Sequence, residues 1–81
     1  MTKILIVDDH PIFQMGMKEL LDTEDDFTVV AVAQDLTSAR QALKEHKPDF
    51  AIIDISLEGE NGLDLVKEVT SQYAGLPVLV L

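Results

Sequence analysis

The stretch Ile4-Leu5-Ile6-Val7-Asp8-Asp9-His10-Pro11 decides how this chain is read. Four consecutive apolar residues, continuous and not alternating with polar ones, have the pattern of a short strand covered on both faces. Two carboxylates close that strand, and Pro11 suits the first turn of a helix that follows at once. The pattern recurs downstream. Counting the opening run from Lys3 to Asp8, further apolar runs at Thr28 to Ala33, Asp49 to Asp54 and Pro77 to Leu81 make four expected strands.

Helical segments separate them. The first, from Pro11, sets Phe13, Met17, Leu20 and Leu21 on one stripe as its expected inner face; Gly16 lies on that face, where the spacing predicts close approach of helix to sheet. The second runs from Thr37 to His46 with Ala39, Ala42 and Leu43 inward, and Pro48 stops it. The third starts near Asn61, turns Leu63, Val66, Val69 and Tyr73 inward, and ends before Gly75 and Pro77. The order β-α-β-α-β-α-β predicts a three-layer α/β fold, with a parallel sheet joined by right-handed crossovers.

Composition narrows the function. With 81 residues, 47% of them hydrophobic, the chain supports one small core, so a single domain over residues 1–81 is expected. Fifteen acidic against six basic residues give a formal charge of −9, which argues against a nucleic-acid surface and for cations or basic partners. The absence of cysteine excludes disulfides, thiolate metal sites and thiol nucleophiles. No apolar run approaches a membrane span and no signal peptide is visible, so the expectation is a soluble cytoplasmic protein.

In open α/β sheets, ligands bind beyond the carboxyl ends of the strands. Here Asp8 and Asp9 close the first strand and Asp54 closes the third, so neighbouring strands would set three carboxylates side by side. Each raises the pKa of the others unless a cation or strong donor intervenes. An oxygen donor set without cysteine favours a hard ion such as Mg²⁺. Taken singly, each acid reads equally well as a solvated strand end, and Asp9 or His10 also suits the N-cap of the first helix. For His10 and His46 the plain reading is a surface or capping role.

Through Ile4-Leu5-Ile6-Val7-Asp8-Asp9-His10-Pro11, Asp49-Phe50-Ala51-Ile52-Ile53-Asp54 and Gly62, the chain resembles the receiver domain of two-component response regulators. Its Asp-Asp-His-Pro start with Phe13, Gly16 and Leu20-Leu21 is similar to the branch carrying a helix-turn-helix output domain. The resemblance implies a flavodoxin-like fold with sheet order 2-1-3-4-5. It also implies that Asp54 accepts a phosphoryl group from a sensor histidine kinase, and that Mg²⁺ (or Mn²⁺) is held by Asp9, Asp54 and the backbone carbonyl of Ser56, with Asp8 acting through water. The role is that of a phosphoacceptor in signalling, not an enzyme. A Ser56 nucleophile lacks a recognisable base, and the Asp-x-Asp strand of haloacid-dehalogenase phosphatases is not matched. A pseudo-receiver that only self-associates is the alternative.

Two departures from the family stand out. Glu58 occupies the usual place of a proline, and with Glu60 it reads as a solvated loop acid near the pocket. The chain also stops at the fourth strand, so the resemblance implies a C-terminally truncated receiver that keeps the acidic pocket but lacks the switch hydroxyl and the strand-terminal lysine. Val78-Leu79-Val80-Leu81 would then be an apolar edge, which predicts self-association by edge pairing or exchange of elements.

Overall fold

The computed structural model describes residues 1–57 and 59–81; Glu58, expected at the usual proline position, lies outside the described residues. Seven elements follow in order: β1 (Thr2–Val7), α1 (Pro11–Asp22), β2 (Phe27–Ala33), α2 (Leu36–His46), β3 (Phe50–Ile53), α3 (Gly62–Gln72) and β4 (Val78–Val80). All strand pairs are parallel and the sheet order is β2-β1-β3-β4, so β1 and β3 lie at the centre. This is the expected three-layer arrangement and the expected start of the 2-1-3-4-5 order.

Alternation along the central strands divides the core in two. Leu5, Val7, Ala51 and Ile53 face α2 and α3, where they pack with Ala39, Ala42, Leu43, Leu57, Leu65 and Val69. Ile4, Ile6 and Ile52 face the other way and meet Met17 and Leu21 of α1. Strand β2 serves both layers because its register slips: Ile4 pairs with Val29 but Leu5 with Ala31, so Val30 is passed over. That one-residue irregularity reverses the parity of the strand. Val29 therefore packs on the α1 side, and Ala31 and Ala33 on the other.

Local sequence accounts for the helix limits. The Asp35 carboxylate accepts the Ser38 amide at 2.8 Å, and the Ser38 hydroxyl lies 3.3 Å from the Asp35 amide, which completes a capping box at α2. Lys47 ends that helix in the left-handed region at φ 46°, a position more often filled by glycine. Asn61 caps α3 by accepting the Leu63 amide at 3.0 Å.

Three packing expectations need correction. Gly16 is exposed and a Cβ there would meet nothing within 4 Å, so no close approach of helix and sheet requires glycine. Phe13 and Leu20 are exposed, and only Met17 and Leu21 of the expected stripe reach the core. The α1 axis sits so that two of the four face the sheet. In α3, Leu63 is 45% exposed while Leu65 is fully buried; Val66 and Tyr73 are partly buried against the core, and Val69 is buried as expected.

Candidate functional site

Strand pairing builds the site. Val7 is in register with Ile53, and the Asp54 amide donates to the Val7 carbonyl at 2.9 Å, so the residues that close β1 and β3 emerge together. Asp8 and Asp54 are 3% and 7% exposed, the buried charged residues of the described chain. Burial of two carboxylates is expensive unless each is bonded, and both use the same device. The Asp8 Oδ1 accepts the His10 amide at 2.7 Å, two residues on; the Asp54 Oδ1 accepts the Ser56 amide at 2.9 Å, also two residues on. These are Asx turns. The Ser56 hydroxyl adds a second bond to the same Asp54 oxygen at 2.7 Å. Gln14, one turn into α1, donates its side-chain amide to the Asp8 carbonyl.

Because both Ser56 bonds fall on Oδ1, the Asp54 carboxylate is oriented with Oδ2 toward the acids of β1. There His10 closes the cluster. It occupies the N-cap position of α1, as expected, but its side chain makes no capping bond. Its Nδ1 lies 2.8 Å from Asp8 Oδ1, 3.1 Å from Asp9 Oδ1 and 3.5 Å from Asp54 Oδ2. Ligand atoms of Asp8, Asp9, His10 and Asp54 all lie within 4.8 Å of one another. His10 is thus exposed and at the N-cap, as expected, while its ring nitrogen also lies among the acids of the site.

Electrostatics follow from the contacts. The hydrogen bond to Asp8 raises the His10 pKa above the usual imidazole range; partial desolvation opposes it, and the nearby charges of Asp9, Asp8 and Asp54 add to the rise. Burial pushes the Asp54 carboxyl up, but the Ser56 amide and hydroxyl and the adjacent His10 outweigh it and hold the group below the usual carboxylate range. Asp54 is thus an ionised carboxylate at neutral pH.

The loop after Asp54 is held from two sides. Leu57 anchors it in the core, and Glu60 reaches across to accept the Leu36 amide at the start of α2 at 3.0 Å. Glu60 is thus an exposed loop acid, as expected, that also braces the loop against α2. Sequence alone carries no signal for this contact, which joins residues 24 positions apart. Gly62 has a steric role: a Cβ on it would stand 2.5 Å from the Asp54 carbonyl oxygen and from the Ile55 Cα.

The response regulator receiver domain family matches residues 4–81 of this sequence. The chain belongs to that family. Transcriptional regulatory protein DegU of Brevibacillus brevis is 34% identical over 79 residues, covering 98% of this chain and 34% of that protein. Oxygen regulatory protein NreC of Staphylococcus haemolyticus is 38% identical over 80 residues, covering 98% of this chain and 37% of that protein. Among solved structures, a LuxR-family two-component response regulator from an Aurantimonas species superposes with a TM-score of 0.88 at 29% identity, covering 98% of this chain and 56% of that one. This receiver thus spans about a third of the length of the curated relatives it matches.

The donor set of this receiver fits a hard divalent cation. Three carboxylates converge on one point, two of them buried, and oxygen ligands with room for water suit Mg²⁺. No helix among the described residues is long and apolar enough to cross a membrane.

Proposed function

We propose that this receiver accepts a phosphoryl group on Asp54 from the phosphohistidine of a sensor histidine kinase, and that phosphorylation controls a DNA-binding output in transcription. The observation that carries the reading is the Asp54 carboxylate itself, buried, held ionised, and oriented through Oδ1 by Ser56. In the step, Asp54 Oδ2 forms a bond to phosphorus as the phosphorus–nitrogen bond of the donor breaks; the electron pair stays with the departing imidazole, and an acyl phosphate remains. Asp9, Asp54 and the Ser56 backbone carbonyl would hold Mg²⁺, with Asp8 acting through water. When bound, the ion neutralises charge on the transferring oxygens. Asp54 is a phosphoacceptor, so the domain is a signalling element and not a turnover enzyme, and it works in the cytoplasm with its kinase.

The transcriptional output is supported by the relatives, which are named as regulatory proteins of transcription or oxygen response. With a charge of −9, this segment leaves DNA contact to another part of the regulator. The exposed β4 edge, with Leu79, Val80 and Leu81 at the surface, supports self-association through that edge, which sedimentation at rising concentration would register as a mass above the monomer.

Incubation with acetyl phosphate and Mg²⁺ tests the central reading by intact mass. The expected result is one added phosphoryl group on the wild-type chain, labile to hydroxylamine, and none on Asp54→Asn. Equal labelling of the variant, or no labelling of the wild type with excess donor and Mg²⁺, would overturn it.

A further inference from the structure

Asn61 is the one asparagine of the sequence, and Gly62 follows it. That pair is the arrangement most open to loss of the side-chain amide, because glycine has no Cβ to hinder its backbone nitrogen from reaching the asparagine carboxamide. Asn61 is exposed, so water and base reach it. The fold nevertheless engages both reacting groups. The Asn61 Oδ1 accepts the Leu63 amide at 3.0 Å, which turns the carboxamide along the first turn of α3, and the Gly62 N–H donates to the Ile55 carbonyl at 3.3 Å. Gly62 itself is buried, with no free space on the side of Asp54 and Ile55. Ring closure between the two residues therefore needs both hydrogen bonds broken and the first turn of α3 opened.

We propose that Asn61–Gly62 is a deamidation site gated by α3: it is held closed while Asn61 caps the helix and reacts when the first turn opens. In the step, the Gly62 nitrogen loses its proton and bonds to Asn61 Cγ as the Cγ–Nδ2 bond breaks. The proton ends on the departing nitrogen, which leaves as ammonia, and a five-membered imide remains. Water then opens the imide at one of its two carbonyls. Opening at Cγ gives aspartate, which caps a helix as well as asparagine does and suits the positive end of its dipole. Opening at the main-chain carbonyl gives isoaspartate, which routes the backbone through the side chain and inserts one methylene ahead of Gly62. Gly62 lies where even a Cβ would stand 2.5 Å from the Asp54 carbonyl oxygen and the Ile55 Cα, so a longer backbone cannot keep that contact. Aspartate therefore preserves the first turn, and isoaspartate loosens α3 from the backbone of Asp54 and Ile55.

The test holds the wild-type chain at mildly alkaline pH, in buffer and in denaturing urea, and follows Asn61 by peptide mapping with mass detection. Asn61 should convert readily in urea, with isoaspartate the larger product. In buffer the conversion should be at least about tenfold slower, because only the locally opened fraction reacts. Asn61→Ser keeps a capping oxygen and has no amide to lose, so the same peptide should stay unchanged in both conditions. Equal rates in buffer and urea overturn the gate, and an Asn61 that survives in urea overturns the site. Asn61→Asp supplies the aspartyl product in pure form and should unfold at the same urea concentration as the parent. The isoaspartyl chain, separated by chromatography and refolded, should unfold at a lower concentration; one as stable as Asn61→Asp overturns the link to the packing of α3.

Discussion

Gly62 packs against the backbone of Asp54 so closely that a Cβ on it would stand 2.5 Å from the Asp54 carbonyl oxygen. The first turn of α3 thus lies directly on the backbone of Asp54 and Ile55, and backbone atoms cannot move aside as a flexible side chain can.

Gly62→Ala should therefore destabilise the domain by about 1–3 kcal/mol, the usual cost of overpacking, although alanine is the better helix former. Gly16→Ala supplies the contrast. Gly16 lies in the exposed interior of α1 with nothing within 4 Å of a new Cβ, so the propensity gain of about 0.5–1 kcal/mol should appear undiminished. Urea unfolding of the two variants should give opposite signs; a shared sign would refute the packing assigned to one of them.

Leu63 and Leu65 are two residues apart in α3 and fare oppositely. Leu65 is fully buried and Leu63 is 45% exposed. Leu65→Ala should cost about 2–5 kcal/mol, a large fraction of the stability of a small domain, while Leu63→Ala should fall within about 0.5 kcal/mol of the parent. Thermal or chemical unfolding ranks them, and a larger loss at Leu63 would mean that α3 is rotated from its described face.

Ser56→Ala removes the hydroxyl bond to Asp54 Oδ1 but keeps the amide bond. The Asp54 carboxyl should then titrate at higher pH than in the parent, as a carbon-detected carboxyl titration would show. The stability consequence has a definite sign. A carboxyl held below its unfolded value contributes stability that is present above the unfolded pKa and lost as pH falls through the folded one. The unfolded value is unchanged, so the loss should begin at the same pH in both chains, but in the variant it should be smaller and complete at a higher pH. Identical Asp54 titrations in both chains would show that the hydroxyl does not help to hold the charge.

The sequence by itself determined the element order, the parallel sheet and the family. Short continuous apolar runs, each closed by turn or acidic residues, and helix limits near Asn61 and Pro48 are properties of neighbouring residues, so they can be read along the chain. Asp8, Asp9 and Asp54 were legible for the same reason: each follows directly on an apolar run. What only the tertiary structure decided depends on contacts between distant residues or on small rotations of an element. Helical periodicity marks an apolar stripe of α1 or α3 but not the angle at which it meets the sheet, which is why Phe13, Leu20 and Leu63 are exposed and Leu65 is buried. The slip at Val30, the brace from Glu60 to Leu36 and the backbone contact at Gly62 leave no local pattern. The direction of the His10 ring belongs with them. A histidine after two aspartates can cap a helix, face solvent or enter the site, and it was the Asx turn at Asp8 and the register of β1 with β3 that brought its nitrogen among the three acids.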